Sequence, residues 1–194
     1  DMRLRPNGDS GPIVVSSDML EEYLYVQGRE WERFAWLKGR VVNEPVFTDR
    51  QTFDLQVKNL YDVVRPFVFR RYVDFNAISA LSNLHKLIRA ETQRREAGKD
   101  LGIDVKLGRG GIREIEFITQ TFQIIRAGRE PQLRVRGTLE ALPILEKLGV
   151  LKTEQVTHLK EAYIFLRNLE HAIQYEDDQQ THRLPSDKEL SLIH

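Results

Sequence analysis

The longest helical pattern of the chain lies at residues 153–177, TEQVTHLKEAYIFLRNLEHAIQYED. Apolar residues recur there every three or four positions, which is the spacing of one face of an α-helix. A helix of this length needs other helices to cover its apolar face, so the stretch predicts an antiparallel helical bundle. The predicted face consists of Val156, Leu159, Tyr163, Leu166, Leu169 and Ile173.

Six further helical patterns precede this one. A segment with five glycines, residues 98–111, separates the earlier patterns from the later ones, and Pro66 is expected to interrupt the third. The chain therefore predicts a bundle of about six or seven helices. The six earlier patterns lie at about residues 17–27, 30–42, 48–64, 76–96, 112–127 and 138–148.

The first sixteen residues carry a different pattern. Residues 1–6, DMRLRP, alternate polar and apolar side chains, turn residues follow at 7–12, and Ile13–Val15 is a β-branched run. This pattern predicts a β-hairpin, which is too small to form a stable sheet by itself. We therefore predict a mainly α protein with a helical bundle over residues 17–194. The hairpin at residues 1–16 is either the edge of a sheet whose other strands are missing, or it packs onto the bundle.

Composition argues against several classes of protein. With 29 basic and 29 acidic residues the chain has no net charge to hold nucleic acid or an anionic membrane. The sequence contains no Cys and no apolar stretch of membrane-spanning length, which favours a cytoplasmic protein. Its five His residues never occur four positions apart, so a zinc site is not expected.

The opening residues contain the first candidate site. In an extended strand Asp1, Arg3 and Arg5 share one face. A carboxylate beside two guanidiniums suits metal-assisted phosphoryl or nucleotidyl transfer, because the acid can hold a divalent cation while the arginines neutralise phosphate oxygens. The alternative is an edge strand with ion pairs across its face.

The second candidate site is the glycine-rich entry to a helix, LGRGGIREIEF at residues 107–117. Gly110 and Gly111 would let the backbone approach a ligand, and free N–H groups in the first helical turn attract anions. Arg113 adds positive charge, and Glu114 and Glu116 are candidates for orienting it. The alternative is an ordinary interhelical turn with a surface ion pair.

Four long motifs occur in order: DMRLRPNGDSGPIVVSS at 1–17, QGREWERFAWLKGRVV at 27–42, RPFVFRRYVDF at 65–75 and KLGRGGIREIEFI at 106–118. Together they resemble the glutamine synthetase adenylyltransferase family over nearly the whole chain. Members of that family attach AMP to a tyrosine of glutamine synthetase and remove it, using two related nucleotidyltransferase halves. The residues of these motifs resemble those of the N-terminal, adenylyl-removing half.

The resemblance implies a domain division, a reaction and roles for the candidate residues. Residues 1–16 would be the last strands of a nucleotidyltransferase α/β domain, and residues 17–194 the helical bundle domain that follows it. In the reaction, inorganic phosphate attacks the phosphorus of adenylyl-O-tyrosine and releases ADP. Asp1 matches the third of three carboxylates that hold two Mg²⁺ ions, which makes it the catalytic and metal-binding candidate. Arg3 and Arg5 become phosphate contacts, while Gly110, Gly111 and Arg113 form an anion contact opposite the metal.

One family feature does not occur in this sequence. The Asp-x-Asp pair that follows a Gly-Ser loop, and supplies the other two carboxylates, is not found in the chain. We therefore expect these residues to work within a longer polypeptide. Alone, they are predicted neither to remove AMP nor to bind magnesium tightly.

Two other functions remain open at this point. The helical part could be a docking module for glutamine synthetase or for the PII signalling protein that regulates such enzymes. It could also bind RNA through the basic residues 89–95 and Arg109. The zero net charge and the lack of aromatic residues among those arginines count against RNA.

Overall fold

The structure, a computed structural model, describes residues 4–42, 49–70, 86, 90, 103–177 and 182–184. These residues are mainly helical, which confirms the predicted fold class. The described part contains six α-helices: α1 (Ser17–Val26), α2 (Glu30–Lys38), α3 (Arg50–Val68), α4 (Ile112–Arg126), α5 (Thr138–Lys147) and α6 (Thr153–Asp177).

Side-chain caps set the starts of several helices. The sequence offers Ser16 or Ser17 as the cap of α1, and the Ser16 hydroxyl takes this role by accepting a hydrogen bond from the N–H of Met19 (3.2 Å). The Asp49 carboxylate accepts from the N–H of Thr52 (3.0 Å), and hydrogen bonding from the Thr52 side chain and from this N–H lowers the pKa of Asp49. Each cap satisfies an N–H group that the helix itself cannot pair, which contributes about 1 kcal/mol.

Two helix ends differ from the sequence prediction. Helix α3 continues through Pro66, which was expected to interrupt it. The proline lies in the last helical turn with only two helical residues after it, and its missing N–H costs one hydrogen bond without ending the helix before Val68. Helix α2 ends at Lys38 rather than near residue 42, because Gly39 adopts an extended conformation.

The predicted helix at 76–96 lies outside the described residues, except that Lys86 and Ala90 are helical.

The predicted β-hairpin is not found within residues 4–16. Asn7 takes a left-handed conformation (φ 60°) and a short 3₁₀ helix follows at Gly8–Ser10. The Arg5 guanidinium closes this turn by donating to the backbone oxygens of Gly11 and Asp9, both at 3.2 Å. A lone two-stranded hairpin is marginally stable, and these local contacts replace it. The predicted domain boundary between residues 16 and 17 stays a prediction.

The chain divides into two compact units. The first contains residues 1–81 and 122–136. Within it, α1 and α2 pack against α3. The C-terminal end of α3 supplies three of the buried core residues, Val64, Phe67 and Val68. The core side chains are Leu20, Leu24, Leu37, Val64, Phe67 and Val68.

The second unit contains residues 82–121 and 137–194. Within it, α5 packs against α6, as short connections between helices favour. A short backbone pairing joins residues 103–105 to residues 182–184: the N–H of Val105 donates to His182 (2.9 Å), and that of Leu184 to Ile103 (3.0 Å). Buried side chains of this unit include Val105, Ile112, Ile115, Ala141, Leu142, Leu145, Val156 and Ile173.

None of the helices in the described part of the chain is both long enough and apolar enough to span a membrane.

Candidate functional site

The glycine-rich stretch before α4 folds into a closed turn, called here the glycine loop (residues 104–111). The Asp104 carboxylate accepts hydrogen bonds from the N–H groups of Lys106 (2.9 Å) and Leu107 (2.7 Å). The N–H of Gly108 donates to the backbone oxygen of Asp104 (3.0 Å). An aspartate that bonds the backbone two and three residues ahead is a common way to fix a turn.

The glycine loop also folds back onto the first turn of α4. The N–H groups of Ile112 and Arg113 donate to the carbonyls of Val105 (3.1 Å) and Lys106 (3.0 Å). These are the N–H groups that the sequence predicted to be free for an anion. Because they are bonded within the chain, an anion contact at this place would depend on side chains.

The two glycines serve the loop backbone in different ways. Gly110 has a φ angle of +75°, a conformation that side chains disfavour. At Gly111 a side chain would place its Cβ 2.8 Å from the carbonyl oxygen of Val105. The predicted role of Gly110 and Gly111 in ligand binding stays a prediction, whereas their role in forming the loop follows from this geometry.

The charged residues around the loop fall into two groups. Arg109 and Arg113 are exposed, and neither pairs with a carboxylate among the described residues. The two glutamates have hydrogen bonds of their own: Glu114 accepts from the N–H of Gly110 (3.1 Å), and Glu116 accepts from the Tyr163 hydroxyl (3.1 Å). The predicted orienting of Arg113 by these glutamates stays a prediction.

The Tyr163–Glu116 bond joins α6 to α4 in the second unit. Burial of the Tyr163 hydroxyl and the nearby negative charge of Glu116 raise the pKa of Tyr163. The phenol therefore stays protonated and keeps donating to the carboxylate. Glu116 is thus a support for the helix that carries Arg113, which is a role that its sequence position did not reveal.

The first candidate site is only partly described. Asp1 and Arg3 lie outside the described residues. The Arg5 side chain is 19% exposed and, besides its two backbone contacts, lies 3.8 Å from the Asp9 carboxylate. The catalytic and metal-binding role of Asp1 and the phosphate-binding roles of Arg3 and Arg5 stay predictions.

The described residues do not supply a magnesium site. Among them, no group of three or more Asp, Glu, His or Cys side chains is arranged to hold a metal ion. The predicted ligand, Asp1, is not one of the described residues. The metal-binding role of Asp1 stays a prediction.

A buried carboxylate, which sequence reasoning missed, lies next to the glycine loop. Glu170 on α6 is 2% exposed. Its Oε1 atom lies 3.1 Å from Lys106 Nζ and 3.2 Å from His182 Nδ1, and its Oε2 atom lies 2.6 Å from Arg167 Nη1. We call these four residues the Glu170 cluster.

The cluster keeps Glu170 ionised. Burial by itself would raise the pKa of Glu170, but the hydrogen bond and charge of Lys106, with the charges of Arg167 and His182, outweigh burial and lower it. The one signal in the sequence was position: Glu170 follows Leu166 by four residues and precedes Ile173 by three, so it lies on the apolar face of α6.

Comparison with known proteins places the chain in a family. A family model described as glutamate-ammonia ligase adenylyltransferase matches residues 1–52, and one described as GlnD PII-uridylyltransferase matches residues 82–194. The bifunctional glutamine synthetase adenylyltransferase/adenylyl-removing enzyme of Aromatoleum aromaticum is 53% identical over 189 residues, which are 97% of this chain and 19% of that enzyme. The chain belongs to the glutamine synthetase adenylyltransferase family.

Other relatives carry the same name and show the same coverage. The enzyme of Burkholderia mallei is 53% identical over 188 residues, 96% of this chain and 20% of that enzyme. The enzyme of Nitrosomonas eutropha is 49% identical over 193 residues, 100% of this chain and 20% of that enzyme. The chain thus spans about one fifth of the length of the curated relatives it matches.

The structure explains two of the motifs that carry the adenylyltransferase resemblance. Arg33, from the motif at 27–42, is fully buried and donates from Nε (3.1 Å) and Nη2 (2.9 Å) to the carbonyl of Val68 in the motif at 65–75. Its Nη1 atom lies 2.7 Å from Glu30, which also pairs with Arg70 at 3.4 Å. We call Glu30, Arg33, Val68 and Arg70 the Arg33 cluster.

Proposed function

We propose that this chain works within a bifunctional adenylyltransferase/adenylyl-removing enzyme, in the half that removes AMP from glutamine synthetase. In this reaction an oxygen of inorganic phosphate forms a bond to the phosphorus of adenylyl-O-tyrosine. The bond from phosphorus to the tyrosine oxygen breaks, which yields ADP and restores the tyrosine. The cysteine-free sequence agrees with a cytoplasmic enzyme.

The observation that carries the proposal is the pair of exposed arginines on a braced loop. Arg109 and Arg113 stand on the glycine loop and the first turn of α4, where Asp104, Glu114 and backbone bonds hold the main chain. A guanidinium binds phosphate oxygens through paired hydrogen bonds, and little entropy is lost when its backbone is already held. The loop is therefore suited to contact the phosphate or nucleotide.

An exchange of the arginine tests this assignment. In the enzyme that contains this chain, Arg113→Ala is expected to raise the KM for inorganic phosphate about tenfold, as loss of one charge-assisted contact does. The measurement is ADP release from adenylylated glutamine synthetase. Arg126→Ala is the matched control, because Arg126 is also exposed and lies at the opposite end of α4. An unchanged KM in Arg113→Ala would contradict the phosphate contact.

The proposal assigns Mg²⁺ to Asp1 and to two carboxylates that this sequence does not contain. The 194-residue chain by itself is therefore expected to be inactive and to bind magnesium only weakly. Isothermal titration of the isolated chain with magnesium chloride measures this directly. Tight binding of one or two ions per chain would refute the assignment.

A second function is favoured by exposed apolar side chains on α6. Phe165 is 66% exposed and Tyr175 is 92% exposed, and large exposed apolar groups mark docking surfaces. Under this alternative the helices dock glutamine synthetase or the PII signalling protein. If Arg113→Ala weakens the binding of glutamine synthetase but leaves the rate of phosphorolysis per bound complex unchanged, docking is the better description.

A further inference from the structure

We propose that Glu170 is a positioning residue for the glycine loop. Through its ion pair with Lys106 it holds the loop backbone that presents Arg109 and Arg113. This inference rests on the proposed function for its catalytic consequence, whereas the anchoring of the loop is a property of the chain itself.

The first step concerns the partners that the buried carboxylate of Glu170 requires. A carboxylate that is 2% exposed must have partners, because removing its hydration is costly. Its partners come from three separate segments: Lys106 from the glycine loop, Arg167 from α6 itself, and His182 from residues 182–184. The carboxylate therefore draws together segments that are far apart in the sequence.

The second step is that Lys106 binds Glu170 through its side chain and holds the glycine loop through its backbone. Its ammonium group is bound by Glu170, its N–H donates to the Asp104 carboxylate, and its carbonyl accepts from the N–H of Arg113. A displacement of Lys106 would therefore be passed on to the backbone of Arg113. The neighbouring residue, Val105, is held by its own backbone bond to His182.

The third step concerns what an ionic anchor adds. A buried ion pair is weak evidence for stability, since apolar side chains of similar volume often stabilise a protein as well. The Glu170 cluster instead supplies directed contacts of 2.6–3.2 Å that fix the position of each partner. Fixed position is what a phosphate-binding loop needs, because a loosely held arginine loses affinity when it becomes ordered.

Hydrogen exchange in the 194-residue chain tests the anchoring. Lys106→Met and Glu170→Gln are each expected to speed amide exchange at Leu107 and Arg113 about tenfold, because both N–H groups are bonded within the anchored loop. Amides in α5 should exchange as before. Lys106→Arg keeps the cation and should restore slow exchange. Glu161→Gln is the matched control, since Glu161 is exposed on the same helix.

Lys106→Met keeps this test decisive if Glu170→Gln folds poorly. It leaves Glu170 with Arg167 and His182, and the Lys106 side chain is itself 29% exposed. Exchange rates at Leu107 and Arg113 that do not change in a folded Lys106→Met chain would overturn the anchoring.

Phosphate kinetics in the enzyme test the catalytic consequence. Lys106→Met and Glu170→Gln are expected to raise the KM for inorganic phosphate about five- to tenfold and to leave kcat within about twofold. A purely structural role would reduce the amount of active enzyme, and so the apparent kcat, without changing KM. If Arg113→Ala raises KM and Lys106→Met does not, the positioning role fails while the proposed function stands. If none of the three variants changes KM, the catalytic consequence fails together with the phosphate contact.

Discussion

The Arg33 cluster and the Glu170 cluster bury opposite charges. In the first, the guanidinium is fully buried and the Glu30 carboxylate that pairs with it is 24% exposed. In the second, the carboxylate is buried and its partners Lys106, Arg167 and His182 reach the surface. Each cluster lies within one compact unit, and the groups that compensate the buried charge differ between the two clusters.

The difference lies in what compensates the charge. Arg33 donates two hydrogen bonds to the carbonyl of Val68, at the C-terminal end of α3, where carbonyls lack helical partners and the helix dipole is negative. Burial lowers the pKa of Arg33, and the contact with Glu30 opposes that shift. Glu170 is compensated by side chains alone. A charge that a backbone carbonyl compensates fixes how the helices pack. A charge that side chains compensate can also connect separate segments and position them.

The largest effect is expected from Arg33→Met. The substitution leaves the carbonyl of Val68 buried without its donors and removes a partner of Glu30, which should lower the free energy of unfolding by about 3 kcal/mol. Urea denaturation of the chain measures this loss. Arg50→Met, in an ion pair with Asp54 that is largely exposed, is the control and should cost at most about 0.5 kcal/mol. Equal losses in the two variants would show that the buried contacts of Arg33 stabilise the fold no more than an exposed ion pair does.

A smaller loss is expected from Glu170→Gln. The three partners lose the negative charge of Glu170, but each reaches the surface and can be hydrated, so the cost should be about 2 kcal/mol rather than about 3. The same denaturation experiment measures it. A loss larger than that of Arg33→Met would mean that Lys106, Arg167 and His182 do not become hydrated when the charge of Glu170 is removed.

The ionisation of Glu170 predicts a pH dependence. Its pKa is below 4.5 in the folded chain, so its charge stabilises the fold above the unfolded pKa, and this contribution is lost as the pH falls through the folded value. Between about pH 6 and about pH 3 the wild-type chain should lose more stability than Glu170→Gln does. Denaturation curves across this range measure the difference. Parallel losses would show that folding does not lower the pKa of Glu170.

The smallest effects are expected from two partly buried phenols, one in each unit. Tyr23 donates to Glu32 (2.8 Å) and Tyr163 donates to Glu116 (3.1 Å). Tyr23→Phe and Tyr163→Phe should each cost about 1 kcal/mol, the usual worth of one hydrogen bond. Burial raises the pKa of both tyrosines, so this stabilisation is present at neutral pH and is lost as the pH rises through their folded pKa values. An undiminished stability in either variant would show that its bond contributes nothing.

Local patterns predicted most of the secondary structure. The spacing of apolar residues located five of the described helices to within a few residues and predicted α6 at Thr153–Asp177, and Ser16 or Ser17 was identified as the cap for α1. These signals are local, because a helix is defined by contacts between residues three and four apart. The motifs likewise identified the family, since they are runs of adjacent residues.

The failures of prediction share a cause. The hairpin at residues 1–16 was expected from alternation, turn residues and a β-branched run, but the left-handed Asn7 and the contacts of Arg5 form a turn over residues 5–11 instead. The free N–H groups expected at the start of α4 are occupied by carbonyls of the glycine loop. In each case a competing hydrogen-bond partner decided the outcome, and the pattern of side chains does not show where backbone partners will be.

The sequence by itself determined that this chain is mainly helical, that glycines precede α4, and that it belongs to the glutamine synthetase adenylyltransferase family. Only the tertiary structure decided that Arg33 pairs with the end of α3 and that Glu170 binds Lys106 and His182. Helices follow from neighbours along the chain, whereas a buried charge needs partners that folding brings from distant positions. For that reason the residue that anchors the glycine loop could be recognised only after the chain was folded.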